Sequence, residues 1–177
     1  MNVIISINPP YTQMIFSGYK LHEFRKKVIK GMDVGYPLED IKAYIYETKN
    51  KGGCGKVVGE VDVLGSYKLH YGVRKKMDTE LVKERFAFIK ELYFRWCEIK
   101  GIAPNMNEGW LKSKKFYAYQ QEIGFFGDNG CLGCNYALIL HNHQKYKNAK
   151  AISEYSNLKG LPLQRPPQNM LRVLTQN

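Results

Sequence analysis

Cysteine is scarce in this chain, acidic residues are outnumbered, and no long apolar run interrupts it. The four cysteines among 177 residues, Cys54, Cys97, Cys131 and Cys134, are too few for a disulfide framework and are expected to stay reduced. A membrane span needs roughly 18 to 20 consecutive apolar residues, and no stretch approaches that, so no membrane partner is expected. Met1 leads directly into Asn-Val-Ile-Ile-Ser, without the charged start and cleavage site of a secretory leader, which predicts a cytoplasmic protein. Internal repeats, long linkers and low-complexity segments are also missing. A chain of this length with 44% hydrophobic residues is therefore expected to form a single domain over 1–177, with a helical elaboration around 75–115.

What is present in excess is positive charge. Lysine and arginine number 27 against 16 aspartates and glutamates, a formal net charge of +11, which points to an anionic partner. The basic residues are scattered among 13 tyrosines instead of lining one amphipathic helix, a mixture that suits phosphates and stacked bases better than a membrane surface. An acidic protein partner meets the same charge requirement, with the 75–130 segment as its interface.

The hydrophobic pattern gives an alternation of short elements. Residues 3–7 read as a buried strand. Asn8 precedes a short helix that opens on Pro9 and Pro10 and stops at Gly18, with Tyr11, Met14 and Ile15 on one face. Residues 19–25 alternate as a strand, placing Leu21, Glu23 and Arg25 on one side and Lys20, His22 and Phe24 on the other. Strands are predicted at 41–48 and 56–64 around a glycine-containing turn at 49–55. Asp78 or Thr79 caps a long helix over 79–100, with Leu81, Phe88, Leu92, Trp96 and Ile99 at helical spacing and Gly101 as the stop. A further helix start is placed at Asn107, before Glu108 and Trp110. Further strands are predicted at 116–121 and 135–141, and Gln168 to Leu174 as a short closing turn beyond prolines that exclude a helix. The fold class is α+β: a small barrel of mixed or antiparallel strands with helices packed outside it.

Three pieces of the amino-terminal region, Ser6-Ile7-Asn8-Pro9-Pro10-Tyr11, Ile15-Phe16-Ser17-Gly18-Tyr19-Lys20 and Glu23-Phe24-Arg25, together resemble the signature of ASCH domains in the PUA-like superfamily. That signature is a strand, a short helix ending in Gly-x-Lys, and a strand carrying Glu-Phe-Arg. Val57-Val58-Gly59-Glu60-Val61 and Arg165-Pro166-Pro167-Gln168 resemble later elements of the family, while residues 75–130 do not align. The resemblance implies a PUA-like β-barrel, a cleft beside the first helix, RNA binding, and enzymatic activity in some members.

The candidate site follows from these residues. Arg25 offers a planar fork for phosphate and Glu23 an acceptor for a base amino group. Lys20 offers a point charge for phosphate, or a base or nucleophile when desolvated. Alternation sets Lys20 on the face opposite Glu23 and Arg25, so such a site requires a bulge, or a rotation at Gly18. Tyr11, Tyr117 and Gln168 complete the expected ligand-binding set. A branch of the family that removes acetyl from N4-acetylcytidine uses the Gly-x-Lys lysine, a threonine three residues on and a later glutamate. Here Lys20 matches, Glu23 stands in the threonine's place as an alternative general base, and Glu47 or Glu60 is the later glutamate. Ribonuclease action would draw on His22, Tyr11, Tyr117 and Lys20. Tyr117 and Tyr119, read as sharing one strand face beside Lys112, Lys114 and Lys115, form a second candidate nucleic-acid surface. Cys131 and Cys134 with His141 and His143 carry zinc-ligand spacings but lack a second pair at finger spacing, so no metal and no cofactor is expected.

Overall fold

A computed structural model of the chain describes residues 1–33, 41–69, 79–106, 109–125 and 135–174, apart from the side chains of 79–82, 84–85 and 111. Its elements are β1 (Asn2–Ile7), α1 (Pro9–Phe16), β2 (His22–Arg25), β3 (Lys42–Glu47), β4 (Lys56–Lys68), α2 (Thr79–Lys100), α3 (Lys114–Glu122), β5 (Tyr136–Lys150) and β6 (Met170–Val173). The fold is α+β, as expected. A six-stranded sheet runs in the order β2-β5-β4-β3-β1-β6. It is mixed: β1 pairs parallel with β3, while β1 with β6 and β3 with β4 are antiparallel. This mixed sheet is consistent with a small PUA-like barrel.

The chain divides into two compact units. The first comprises Met1–Glu23, Val28–Ser66 and Leu138–Asn177; the second comprises Phe24–Lys27 and Tyr67–Ala137.

In the first unit the sheet is buried on both faces. Val3, Ile5 and Ile7 of β1 join Ile15, Ala43, Ile45, Val61, Val63, Leu138 and Leu140 in one core, with Tyr11 and Phe16 of α1 packed against it. Ile4 points the other way, into a core of Tyr44, Tyr46, Val57, Tyr155, Leu163 and Val173. Burial of both faces is why residues 3–7 form a nearly continuous apolar run instead of an alternating one. Ser6, the polar exception, donates from its hydroxyl to the Pro167 carbonyl at 2.6 Å, and its N–H donates to the Asn169 carbonyl. Glycine is required at position 59 of β4, since a Cβ there would lie 2.4 Å from the Gln144 carbonyl oxygen and 2.5 Å from the Phe16 ring.

The second unit is aromatic. Phe88, Leu92 and Trp96 of α2 are buried as the helical spacing predicts, and Gly101 ends the helix at φ +62. Tyr93, Trp96, Trp110 and Phe116 pack ring against ring with centroids 4.7 to 6.2 Å apart, and Phe24, Phe88 and Phe125 form a second group.

Three sequence expectations are corrected. Residues 116–121 are not a strand but most of α3, whose first turn Ser113 caps by accepting from the Phe116 N–H. Phe116, Tyr119 and Gln120 are buried, an i, i+3, i+4 pattern that the alternation Tyr117-Ala118-Tyr119 disguised. The strand expected at 135–141 continues to Lys150, because its second half is solvent-facing and carries no apolar signal. Residues 170–173 form the edge strand β6 rather than a closing turn. Asp78, Asn107 and Glu108 lie outside the described residues, and the Leu81 side chain is likewise undescribed. No described helix is long and apolar enough to cross a membrane.

Candidate functional site

The site is assembled by the way α1 begins and ends. Asn8 is extended, Pro9 and Pro10 occupy the first helical positions, and the Asn8 carbonyl accepts from the N–H groups of Tyr11 and Thr12. The Asn8 side chain forms no cap; its Oδ1 accepts from the Thr48 hydroxyl at 2.7 Å. At the other end Gly18 adopts φ +73, a left-handed step that glycine takes without a Cβ clash. The Lys20 N–H then reaches back to the Met14 carbonyl at 3.0 Å.

That turn supplies the rotation the site required. β2 starts only at His22, so strand alternation does not govern Lys20. The lysine is 2% exposed. Its Nζ donates to the His22 carbonyl at 2.6 Å, stands 3.2 Å from Glu23 Oε2, and lies 5.2 Å from the centre of the Tyr11 ring. Lys20 and Glu23, expected on opposite faces, are thus brought together, and Tyr11 joins them. Removing an ammonium and a carboxylate from water costs several kcal/mol per ion, which their mutual attraction and the added hydrogen bond offset.

On a neighbouring side of α1 a second polar group forms. Thr12 follows Tyr11 by about 100° around the helix, and its hydroxyl donates to Glu47 Oε2 at 2.5 Å. The Cys54 N–H donates to Glu47 Oε1 at 3.1 Å. Burial alone would raise the Glu47 carboxyl, but the hydrogen bonds from Thr12 and Cys54 outweigh it and hold the group below its ordinary value. Glu60, the other glutamate considered, stands opposite Tyr44 in the β3–β4 register, on the sheet face away from α1. It pairs with Lys42 at 2.8 Å and accepts from the Tyr146 hydroxyl at 2.5 Å. Burial pushes Glu60 up, and these two partners bring it below the usual carboxylate range. Desolvation, with the hydrogen bond to Glu60, holds the Tyr146 phenol far above its ordinary value, and burial pushes buried Tyr155 up to about 12. Glu47 therefore shares the face of α1, and Glu60 serves a network across β3, β4 and β5.

The remaining candidates are placed as follows. Arg25 belongs to the second unit, where its carbonyl accepts from the Asn135 N–H. Tyr117 is 42% exposed and Tyr119 3% exposed; on helix α3 they do not share a face, which corrects the two-tyrosine strand surface. Gln168 is exposed between Pro167 and Asn169, the two residues tied to Ser6. His141 is exposed and His143 half-buried on β5, whereas Cys131 and Cys134 lie outside the described residues. Among the described residues no group of three or more metal-ligating side chains occurs. A groove of about 530 Å³ opens between Leu161, Leu163, Arg165, Pro166 and Leu171, and neither Tyr11, Lys20 nor Glu23 lines it.

The sequence reading missed the outer half of β5, Asn142 to Lys150, with exposed Lys145 and Lys147 two residues apart on one side of a strand. The alternation Lys145-Tyr146-Lys147 was the available signal, hidden because polar residues on both sides gave no hydrophobic period.

No family model matches the chain, and no curated protein matches it. Among solved structures it is similar to ASCH from Zymomonas mobilis, with 16% identity and a TM-score of 0.47 over 99% of this chain and 88% of that one. Two point mutants of the same protein give 18% identity with a TM-score of 0.46 and 17% with 0.45, again over 99% of this chain and covering 89% and 91% of theirs.

Proposed function

We propose that the chain is a cytoplasmic RNA- or nucleotide-binding module whose ligand is read beside α1 by Lys20, Glu23 and Tyr11. The observation that carries this reading is the Lys20–Glu23 pair, 2% and 7% exposed, 3.2 Å apart and set against an aromatic ring. A desolvated ion pair adds little to stability compared with apolar side chains of the same volume, so its burial beside a helix end calls for a reason other than stability. An ammonium for phosphate, a carboxylate for a base amino group and a ring for stacking match the phosphate, the base edge and the base face of a nucleotide.

A second reading, hydrolysis of a modified nucleoside or of RNA, is favoured by one observation: the Lys20 amine and the Glu23 carboxylate, a nucleophile type and a base type, stand 3.2 Å apart, the closeness found between a catalytic nucleophile and the base that activates it.

One experiment addresses both. Wild-type protein and the double variant Lys20→Met, Glu23→Leu, which replaces the pair by apolar groups, are titrated with short RNAs, nucleotides and acetylated cytidine, and every mixture is searched for product by mass spectrometry. Salt-sensitive binding by the wild type that the folded double variant lacks supports the module; product formation that depends on the pair makes the site catalytic. Equal binding by both proteins would remove the α1 site from the reading.

A further inference from the structure

Five exposed lysines gather where the β3–β4 turn meets the outer half of β5. Lys49 and Lys51 lie in or beside the Asn50–Gly52 turn, and Lys56 opens β4. Lys56 stands opposite Glu47 in the sheet register, on the same face. Lys145 is close enough to Glu47 to contribute to its lowered pKa, and Lys147 follows on the same side of the strand. All five belong to the first unit. Among the described residues none of the five forms an ion pair.

The contrast with the neighbouring sheet face is informative. There Lys42 is neutralised by Glu60 at 2.8 Å and Asp62 at 3.5 Å, and Lys150 sits over the Tyr146 ring. At the crest Glu47 is the facing carboxylate, and its oxygens are already taken by Thr12 and Cys54. Crowded ammonium groups without carboxylate partners repel one another and gain most from an external polyanion. Lys145 and Lys147 are separated by about 6.6 Å along the strand, a spacing on the scale of that between neighbouring phosphates of an unstacked strand.

We infer that this crest, Lys49, Lys51, Lys56, Lys145 and Lys147, is a phosphate track that holds the backbone of a single-stranded nucleic acid. The inference rests on the nucleotide-binding reading of the α1 site and extends it from one nucleotide to a strand. Glu47 links the two features, since Thr12 of α1 donates to it and Lys145 of the crest is close enough to act on its charge.

The test uses the full chain, a fluorescein-labelled polyuridylate, its polydeoxythymidylate counterpart and uridine monophosphate. The crest variant is Lys51→Gln, Lys145→Gln, Lys147→Gln; Lys90→Gln, Lys100→Gln, Lys159→Gln is a control with the same charge loss. For the crest variant, polyuridylate affinity falls about tenfold at physiological salt, and the log–log salt slope drops by about 2, at about 0.7 per lost single-strand contact. Affinity for the mononucleotide stays within about twofold, because the variant leaves Tyr11, Lys20 and Glu23 untouched. The control stays near wild type. Loss of both polymers together supports a backbone track, as does loss of the RNA polymer alone. An unchanged crest variant overturns the track while leaving the α1 reading in place, and an equal loss in the control overturns it in favour of bulk charge. Failure of the wild type to bind any of the three ligands overturns the α1 reading and the track together.

Discussion

At the scale of single residues, the Lys20 ammonium is held out of water by the His22 carbonyl at 2.6 Å, the Glu23 carboxylate at 3.2 Å and the Tyr11 ring. The motif Gly18-Tyr19-Lys20 with Glu23 was legible as a candidate site, and the need for a rotation at Gly18 could be stated. That the lysine is 2% exposed and folds back onto the His22 carbonyl was not legible, because it depends on where β2 begins and on what covers it. The pair makes a sharp energetic prediction. Lys20→Ala leaves Glu23 buried without its cation and is expected to destabilise the protein by about 3–5 kcal/mol, whereas Lys20→Met with Glu23→Leu is expected near wild type. Denaturant titration of the three proteins checks it. A double variant as unstable as the single one would show that the ion pair itself stabilises the fold, so that its burial needs no ligand to account for it.

Elements were legible wherever burial imposed a pattern. β1, α1 and β3 appear within a residue or two of their expected limits because apolar faces and prolines mark them. α3 was misread because Tyr117 and Tyr119 on either side of Ala118 fit an alternating pattern over a short window, and outer β5 because exposed strand residues carry no hydrophobic mark. Gly59 shows a constraint on packing between elements that composition does not reveal. Gly59→Ala forces backbone or the Phe16 ring to move, and an overpacked site of this kind costs about 1–3 kcal/mol, occasionally more. Gly101→Ala meets no atom within 4 Å and carries only its left-handed backbone, about 1–2 kcal/mol. Unfolding free energies from denaturant curves separate the two mechanisms when Gly59→Ala is combined with Phe16→Ala. Relief of the clash then restores part of the Gly59→Ala loss relative to Phe16→Ala alone, and simple additivity would contradict the steric account.

For the whole molecule the governing quantity is the charge of +11, which was fully legible, while its distribution between paired Lys42 and the unpaired crest was not. Self-repulsion opposes the compact state, and salt screens it. Acid acts in the same direction through specific groups. Glu47 and Glu60 have folded pKa values below the ordinary 4.5, so the stabilisation they contribute is present above that pH and is lost as pH falls through their folded values. Each proton taken up also adds to the net positive charge. Stability is therefore expected to fall below about pH 4.5, more steeply at low salt than at high salt. Glu47→Gln with Glu60→Gln is expected to lower stability at neutral pH and to flatten that acid limb, because the variant no longer has these two carboxylates to protonate. Thermal unfolding followed by circular dichroism from pH 7 to pH 3, at two salt concentrations, measures both effects. An acid limb of the same slope in the variant would assign the loss to general charge repulsion instead of to the hydrogen bonds from Thr12, Lys42 and Tyr146 that hold these carboxylates ionised.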